Sequence, residues 1–520
     1  MNIKYSYLLD AISEIDLHEV SSKIKLGFEK ESLRVASSKI SAEKHPYSLG
    51  SSGYNRFITT DFSEAQLELI TPPMDGSFES INFLDDLQHF VQENIKDEIL
   101  WPLSIPPTIS SEDEVPVAEY GPSHEGRFKH IYRIGLENRY GKIMQAISGF
   151  HFNYSLPKSM WDSISNETSL DAAEIRSEVY FNILRNIFQF NWLLIYLFGS
   201  SPVIGKHLLK DTKDSFIQLD EHSIHLPYAT SLRMSEHGYS NSERKRINIS
   251  INSLDEYSSD LYQATITENP TYIVYEENKD SQLNANILQI EAEYYAVARA
   301  KSQAEYSRRP SVNLKHGGVD FIEIRSLDLN PFSRIGISQE TIDFLEVFIL
   351  FCMLNVCRKF DKETMKIIHS NDIMVAKYGR MPDLKINNNN KNILIKTWAF
   401  EIIEGMRLIA EKLDNSDKSY SEMINKFRSQ IENPDETLSA KIMSELKDKK
   451  MSHDEFGDYY GSTYKSQYKK RRKFENKLWE KFEKEQALSI AKQREHEEST
   501  RSSEKTFKDF KQEYFDIKFK

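Results

Sequence analysis

The segment Gly27-Phe28-Glu29-Lys30-Glu31 places two carboxylates two residues apart inside a strand-like run, Gly27 to Val35. That spacing constrains the chain more than any other feature. Successive side chains on a strand point to opposite faces, so Glu29 and Glu31 project together, about 6.6 Å apart along the chain. Two carboxylates at that distance repel by roughly 2.5 kcal/mol at an effective dielectric of 20. A fold that buries them needs a cation between or beside them. Three other segments repeat the pattern. After the loop SLGSSGYN, residues Phe57 to Thr71 read as an extended stretch around an acidic cluster, stopped by Pro72 and Pro73. Within it Glu64, Gln66 and Glu68 can share a face, with Leu67 and Leu69 behind. Ile147 to Leu156 alternates too, with His151, Asn153 and Ser155 on one side and Phe150, Phe152, Tyr154 and Leu156 on the other. In Val319 to Leu327, after Gly317-Gly318, Glu323 and Arg325 share a face while Ile322 and Ile324 turn towards a core.

Helical periodicity occupies most of the remainder. Residues 1–25 read as one small amphipathic helix carrying Leu8, Leu9, Ile12 and Ile15. Glu79 to Ile99 and Asp171 to Phe198 predict longer helices, the second with Val179, Ile183, Ile187 and Phe190 on a core-facing stripe. Helices resume at Ser338, interrupted by a polar loop, Asn387 to Asn392. From about Ser452 the composition turns charged and aromatic. There Lys469 to Lys473 (KKRRK) is followed by Phe474, Leu478 and Phe482 at four-residue intervals, which predicts a solvated helix docked by one apolar stripe. The expected division is a body, residues 1–450, and a charged helical extension, 451–520.

Charge and cysteine usage exclude several classes. With 67 basic and 79 acidic side chains the net charge is −12, so a surface that binds nucleic acid or anionic lipid throughout is ruled out. Glu475, Glu480, Glu483 and Glu485 offset the basic run locally. The two most apolar runs, Asn191 to Ser200 and Ile342 to Cys357, are too short or carry Asp343 and Glu346, so neither predicts a membrane span. Asp10, Glu14 and Asp16 precede any long apolar run, which argues against a signal peptide. Cys352 and Cys357 form neither a disulfide framework nor a CxxC site. The expectation is a cytoplasmic protein with two buried thiols.

No GxxxxGK[ST] loop occurs, and no GxGxxG follows a strand. Side chains and metal must therefore hold the phosphates of any bound nucleotide. Carboxylates with one imidazole and an arginine suit a hard cation gripping a polyphosphate: oxygen ligands fit Mg²⁺, and Arg forks onto phosphate. Zinc would call for more His or Cys, and a glycosidase pair would not need so many acids beside His151 and Arg325. One such segment alone reads as a charged surface strand; four together point to a metal–nucleotide site.

The segments GFEKESLRV, FITTDFSEAQLELITP, EYGPSHEGRFKHIYRIGLENRYG, MQAISGFHFNYSLP, YATSLRMSEHGYSN and FIEIRSLDLNPFS, in that order, resemble the bacterial glutamate–cysteine ligases (γ-glutamylcysteine synthetases) of the proteobacterial type. The likeness is strong over residues 20–335. It continues to 450 through NDIMVAKYGRMPD and ENPDETLSAKIM, and the tail matches in helical character only. The resemblance implies an α+β fold like that of glutamine synthetase, a curved, mainly antiparallel sheet forming a funnel wrapped by helices. It implies that the γ-carboxylate of L-glutamate attacks the γ-phosphate of ATP, and that the amine of L-cysteine then displaces phosphate.

The same resemblance implies site residues. Glu29, Glu31, Asp61, Glu68, His151 and Glu323 would be ligands to more than one Mg²⁺, with Mn²⁺ as a substitute. Arg325 would sit on the transferring phosphoryl group, and Arg133 is a second phosphate candidate. Arg233 would pair with a substrate α-carboxylate. Phe62, Tyr132, Tyr239 and Tyr295 would wall the cysteine pocket, with Gln145 nearby and Asn153 among the substrate-binding positions. Ala292 stands where an amide is expected. No disulfide control is expected, and the implied partners are small molecules only, with no nucleic acid, no membrane and a monomeric state. The rivals are another ATP-dependent carboxylate–amine ligase, and a non-catalytic RNA- or partner-binding protein acting through the basic run. The latter leaves the acidic strands unexplained.

Overall fold

The acidic stretch Lys25–Ala36 forms the longest strand, β1, and it organises the main sheet of the computed structural model. The structure describes residues 3–209, 212–238, 247–277, 280–416 and 418–519. Short strands β2 (Lys39–Ile40), β3 (Ile58–Thr60), β4 (Gln66–Ile70), β5 (Met74–Asp75), β6 (Ile99–Leu100) and β7 (Phe150–Ser155) follow. A small separate sheet contains β8 (Val203–Gly205), β9 (Ile217–Gln218) and β10 (Ser223–His225). The main sheet is completed by β11 (Ala298–Lys301) and β12 (Phe321–Leu327); β13 (Lys385–Asn388) and β14 (Lys391–Leu394) make a hairpin.

The main sheet is open and antiparallel, in the order β11-β12-β7-β1-β4-β3, with β2, β5 and β6 pairing along other stretches of β1. Residues directly opposite in an antiparallel pair share a face. The observed register sets Glu29 opposite His151, Glu31 opposite Glu68, and Asn153 opposite Glu323. The opposite face carries Phe28, Leu67, Leu69, Phe150, Phe152, Tyr154, Ile322 and Ile324, all essentially without exposure. Phe28 packs on Phe150 and Phe152 with ring centroids 5.5 and 5.8 Å apart. Burying each such side chain contributes about 1.5–3 kcal/mol, so hydrophobic packing behind the sheet holds the polar face in register.

Helices make up most of the remaining elements. In order they are α1 (Ile3–Ser13), α2 (Leu17–Ser22), α3 (Ser77–Asn94), α4 (His124–Tyr140), α5 (Lys158–Thr168), α6 (Ala172–Phe198), α7 (Leu254–Ala264) and α8 (Pro310–Gly317). The second half holds α9 (Gln339–Leu354), α10 (Lys362–Tyr378), α11 (Ile395–Leu413), α12 (Tyr420–Glu432), α13 (Leu438–Lys449), α14 (His453–Lys470), α15 (Trp479–Ser502) and α16 (Phe507–Phe515). The 27-residue α6 is buried nearly all round from Val179 onward and lies between β11–β12 and the pair α9–α10, with Val179, Ile183, Ile187 and Phe190 buried. Among the described residues no helix is long and apolar enough to cross a membrane. Cys352 and Cys357 are buried free thiols, and burial pushes Cys357 up to about 12.

Four sequence expectations change. The single helix over 1–25 is two, because the Asp16 carboxylate accepts from the backbone of His18 and Glu19 (2.9 and 3.2 Å) and starts a new helix there. The stretch 57–71 is the hairpin β3–β4, turning through 61–65. The polar loop 387–392 is the β13–β14 hairpin, with Asn389 and Asn390 at φ 51° and 65°, as a two-residue type I′ turn requires. The basic run does not continue a helix. Helix α14 ends at Lys470, Phe474 is 75% exposed, and α15 starts at Trp479. The break follows from Arg471 turning inward to Asp85 (3.2 Å) and Asp86 on α3.

Candidate active site

Alternation on β1, β7 and β12, combined with the registers β7 makes with its two neighbours, puts His151 among three carboxylates. Its Nδ1 lies 3.1 Å from Glu29 Oε2 and 3.8 Å from Glu323 Oε1, and its Nε2 lies 3.3 Å from Glu31 Oε1. Asn153 Nδ2 donates to Glu29 Oε1 at 3.0 Å, and the backbone N–H of Gly149 donates to Glu31 Oε2 at 2.6 Å. Glu68 joins from β4: ligand atoms of Glu29, Glu68 and His151 all fall within 4.8 Å of one another. Arg325 Nη1 donates to Glu323 Oε1 at 2.8 Å.

The electrostatics divide the carboxylates. Burial, then Glu29, Asp61 and Glu31, push the Glu68 carboxyl well above its ordinary range. Burial likewise raises Glu31. Burial would raise Glu323 too, but Arg325, Lys301 and His151 outweigh it and hold that group well below the usual range. Crowded acids that cannot all ionise alone are what a divalent cation relieves. The donor set, oxygens with one imidazole, fits a hard ion such as Mg²⁺, and the Asn153 Oδ1 atom is buried with no hydrogen-bond partner. A second cluster, Asp214, Glu236 and His237, differs because the Lys377 ammonium already lies 2.6 Å from Asp214 and 2.7 Å from Glu236.

Beside the acidic cluster lies a narrow polar cleft. Glu31, Asp61, His151 and Arg325 line its sheet side; Phe62, Tyr132, Arg133 and Gln145 line the side formed by α4 and neighbouring loops, and Arg233, Ala292 and Tyr295 complete it. Arg133 is held by main-chain oxygens, with Nε on Asp61, Nη2 on Thr60 (3.2 Å) and Nη1 on Lys129 (3.0 Å), so two of its five N–H groups remain. Arg233 donates to the Arg325 carbonyl at 3.1 Å and lies 3.5 Å from Asp328. It reaches the cleft only because residue 149 is glycine: a Cβ there would lie 2.0 Å from its guanidinium. Asn153 sits on the sheet beside Glu29 rather than in the cleft wall. Tyr239 lies outside the described residues.

One expected face neighbour is elsewhere. Glu64 falls in the β3–β4 turn, where its carboxylate accepts from the backbone of His45 (3.0 Å) and Glu119 (2.9 Å), away from Gln66 and Glu68. Two groups were missed. Arg299 pairs in register with Glu323, and Lys301 Nζ lies 3.1 Å from Glu323 Oε2. The alternation Ala298-Arg299-Ala300-Lys301 was their available signal.

The fold and the cleft together define a class: an α+β enzyme in which acidic and basic side chains from separate strands meet on one face of an open antiparallel sheet. The sequence model of the glutamate–cysteine ligase family matches residues 9–375. A glutamate–cysteine ligase of Alcanivorax borkumensis is 38% identical over 462 residues, 86% of this chain and 88% of that protein. One from Shewanella amazonensis is 37% identical over 456 residues, covering 86% and 87%. The crystal structure of glutamate–cysteine ligase (gshA) from Francisella tularensis in complex with AMP superposes with a TM-score of 0.88 at 33% identity, over 96% of this chain and 99% of that one. A bifunctional glutathione synthetase from Pasteurella multocida shares the fold at 23% identity (TM-score 0.71, 89% of this chain and 55% of that one). The chain belongs to the glutamate–cysteine ligase family, and its reaction is the joining of glutamate to cysteine that opens glutathione biosynthesis.

Proposed function

We propose that the chain carries out this ligation through γ-glutamyl phosphate, using ATP and Mg²⁺. The observation that carries the reading is the strand register, which brings Glu29, Glu31, Glu68, His151 and Glu323 to one place beside Arg325. The relative with AMP bound supports a nucleotide co-substrate. In the first step an oxygen of the glutamate γ-carboxylate bonds to the γ-phosphorus of ATP and ADP departs. In the second the cysteine nitrogen bonds to the acyl carbon, the C–O bond to phosphate breaks, and the amine gives up a proton.

Phosphoryl transfer needs positioning and neutralised charge more than covalent help. Glu29, Glu31, Asp61, Glu68, His151 and Glu323 would hold more than one Mg²⁺, with Mn²⁺ as a substitute, whose role is to neutralise the phosphate oxygens. Arg325 stabilises the transferring phosphoryl group and the free edge of Arg133 adds to it. Arg233 holds a substrate α-carboxylate in a charge-assisted pair. Phe62, Tyr132, Tyr239 and Tyr295, with Gln145, receive the cysteine, and Asn153 orients Glu29. The same reading includes a cytoplasmic monomer without nucleic-acid partners, its catalytic body in residues 1–450 and a charged helical extension in 451–520.

The test is phosphate release from ATP with glutamate plus cysteine, 2-aminobutyrate or ammonia. Release that depends on cysteine is expected; release that needs ammonia and ignores cysteine would make the chain a different carboxylate–amine ligase. Glu68→Gln is expected to raise the Mg²⁺ concentration for half-maximal rate by about tenfold. An unchanged metal titration would remove Glu68 from the ligand set.

A further inference from the structure

Two walls of the cleft come from distant parts of the chain, and a third segment touches both. One wall is α4, which contributes Tyr132 and Arg133. The other is the turn Glu291–Glu293, which contributes Ala292 and leads to Tyr295. Both acids of that turn are pinned. Glu293, with no side-chain exposure, accepts from Arg139 Nη1 (3.0 Å) and Tyr140 OH (2.6 Å) on α4. Glu291 accepts from Arg309 Nε (3.1 Å) and Ser311 Oγ (2.5 Å) beside and on α8. A buried carboxylate must be paired, so these bonds fix the turn tightly. The walls also approach closely: Gln289 Nε2 donates to the Tyr132 carbonyl at 3.2 Å, and a Cβ at Gly135 would lie 2.1 Å from Gln289 Oε1.

Residues 505–519, with α16 at their centre, reach both walls. Towards α4, Phe510 and Tyr514 pack on Phe128 with centroids 6.1 and 4.9 Å apart, and Arg127 lies over the Phe507 ring at 4.4 Å. Phe128 is one helical turn before Tyr132, on the same face. Towards the turn, Tyr514 OH donates to Glu291 Oε2 at 3.4 Å, Lys511 Nζ donates to the Leu283 carbonyl at 3.0 Å, and Lys315 of α8 donates to the Phe519 carbonyl at 2.9 Å.

We propose that residues 505–519 are a positioning strap for the acceptor-amine side of the cleft, with Tyr514 holding α4 and the Glu291–Glu293 turn at a fixed separation. The proposal rests on the reading of this cleft as the cysteine site. Tyr514 acts through Phe128 and Glu291 and is a positioning residue. Loosening it spreads Tyr132 from Tyr295, while Arg325 and the acids on the sheet stay in place and the Arg133 guanidinium stays bonded to the main-chain oxygens of Asp61 and Thr60. Cysteine binding therefore weakens and phosphoryl transfer does not.

In the full chain, Tyr514→Ala is expected to raise KM for cysteine about tenfold, with kcat and the KM values for ATP and glutamate within twofold of wild type. Tyr514→Phe, which keeps the ring on Phe128 but removes the hydroxyl from Glu291, is expected to recover only part of the cysteine affinity. Phe482→Ala removes a buried ring packed on Phe57 and Phe83, away from the cleft, and serves as a control for lost aromatic packing. A cysteine KM unchanged in Tyr514→Ala, or raised equally in Phe482→Ala, overturns the proposal. Amide exchange over 128–140 and 289–296 is expected to quicken in Tyr514→Ala alone. Should wild type ignore cysteine, the functional reading fails, while exchange still decides the strap: unchanged rates there overturn it. If Tyr514→Ala does not fold, Phe510→Leu, a milder cut in the same contact, is judged by the same two readouts.

Discussion

In an Arg325→Ala variant at saturating Mg²⁺, kcat is expected to fall about 10³-fold while KM for glutamate moves less than about threefold. That loss corresponds to about 4 kcal/mol of transition-state stabilisation. The reason lies in how the guanidinium is held. It is 17% exposed and bonded to Glu323. Burial by itself would ease its proton off, but Glu323, Glu31 and Glu29 outweigh burial and keep it charged throughout. A fixed cation costs nothing to reorganise when negative charge develops on the transferring group, so its value falls in the transition state rather than in glutamate binding. Arg325→Lys, which keeps charge but loses the planar fork, should recover part of the rate. Steady-state kinetics check this, and an unaltered kcat would take Arg325 out of the phosphoryl step.

The second large effect concerns stability. Asp372 of α10 is 5% exposed, its Oδ2 accepts from Asn191 Nδ2 at 2.9 Å, and its Oδ1 has no hydrogen-bond partner. Burial raises its carboxyl to about 8, against the smaller opposing effect of the Asn191 bond. An unfolded Asp titrates near ~3.9, so between about pH 4 and 8 the folded chain holds a proton that the unfolded chain has released. Stability from this group is therefore complete below about pH 4 and is lost as pH rises towards 8. Asp372→Asn keeps the neutral shape and removes that slope. It should match wild type near pH 4 and exceed it by about 5 kcal/mol at pH 8. Denaturant midpoints measured across that range check it; parallel pH profiles for the two proteins would mean that Asp372 is ionised in the fold.

Legibility in the sequence followed the strength of local signals. The alternation in GFEKE, FHFNYS and FIEIR was strong because one face of each strand is packed to near-zero exposure, and β1, β7 and β12 lie where that period put them. The β3–β4 turn, Asp61-Phe62-Ser63-Glu64-Ala65, contains neither Gly nor Asn, so two strands read as one and Glu64 was assigned to a face it does not occupy. Helix α4 carries two of the expected cleft residues, yet its charged sequence gave little helical periodicity. Its limits come from Ser123, whose hydroxyl accepts from the Gly126 N–H at 3.0 Å, and from Gly141 at φ 82°. The KKRRK run looked continuous because a tertiary ion pair, Arg471 with α3, is invisible to periodicity.

Read alone, the chain established which side chains share a face, that several acids, one histidine and an arginine would have to live together, and the family its motifs resemble. Only the folded molecule decided which of them meet. Strand periodicity repeats every two residues, so sliding β4 or β7 along β1 by two positions preserves every face while moving each partner by about 6.6 Å. The packing of Phe28, Phe150 and Phe152 behind the sheet selects one register. That choice sets Glu29 against His151, and the β1–β4 and β11–β12 registers set Glu31 against Glu68 and Arg299 against Glu323.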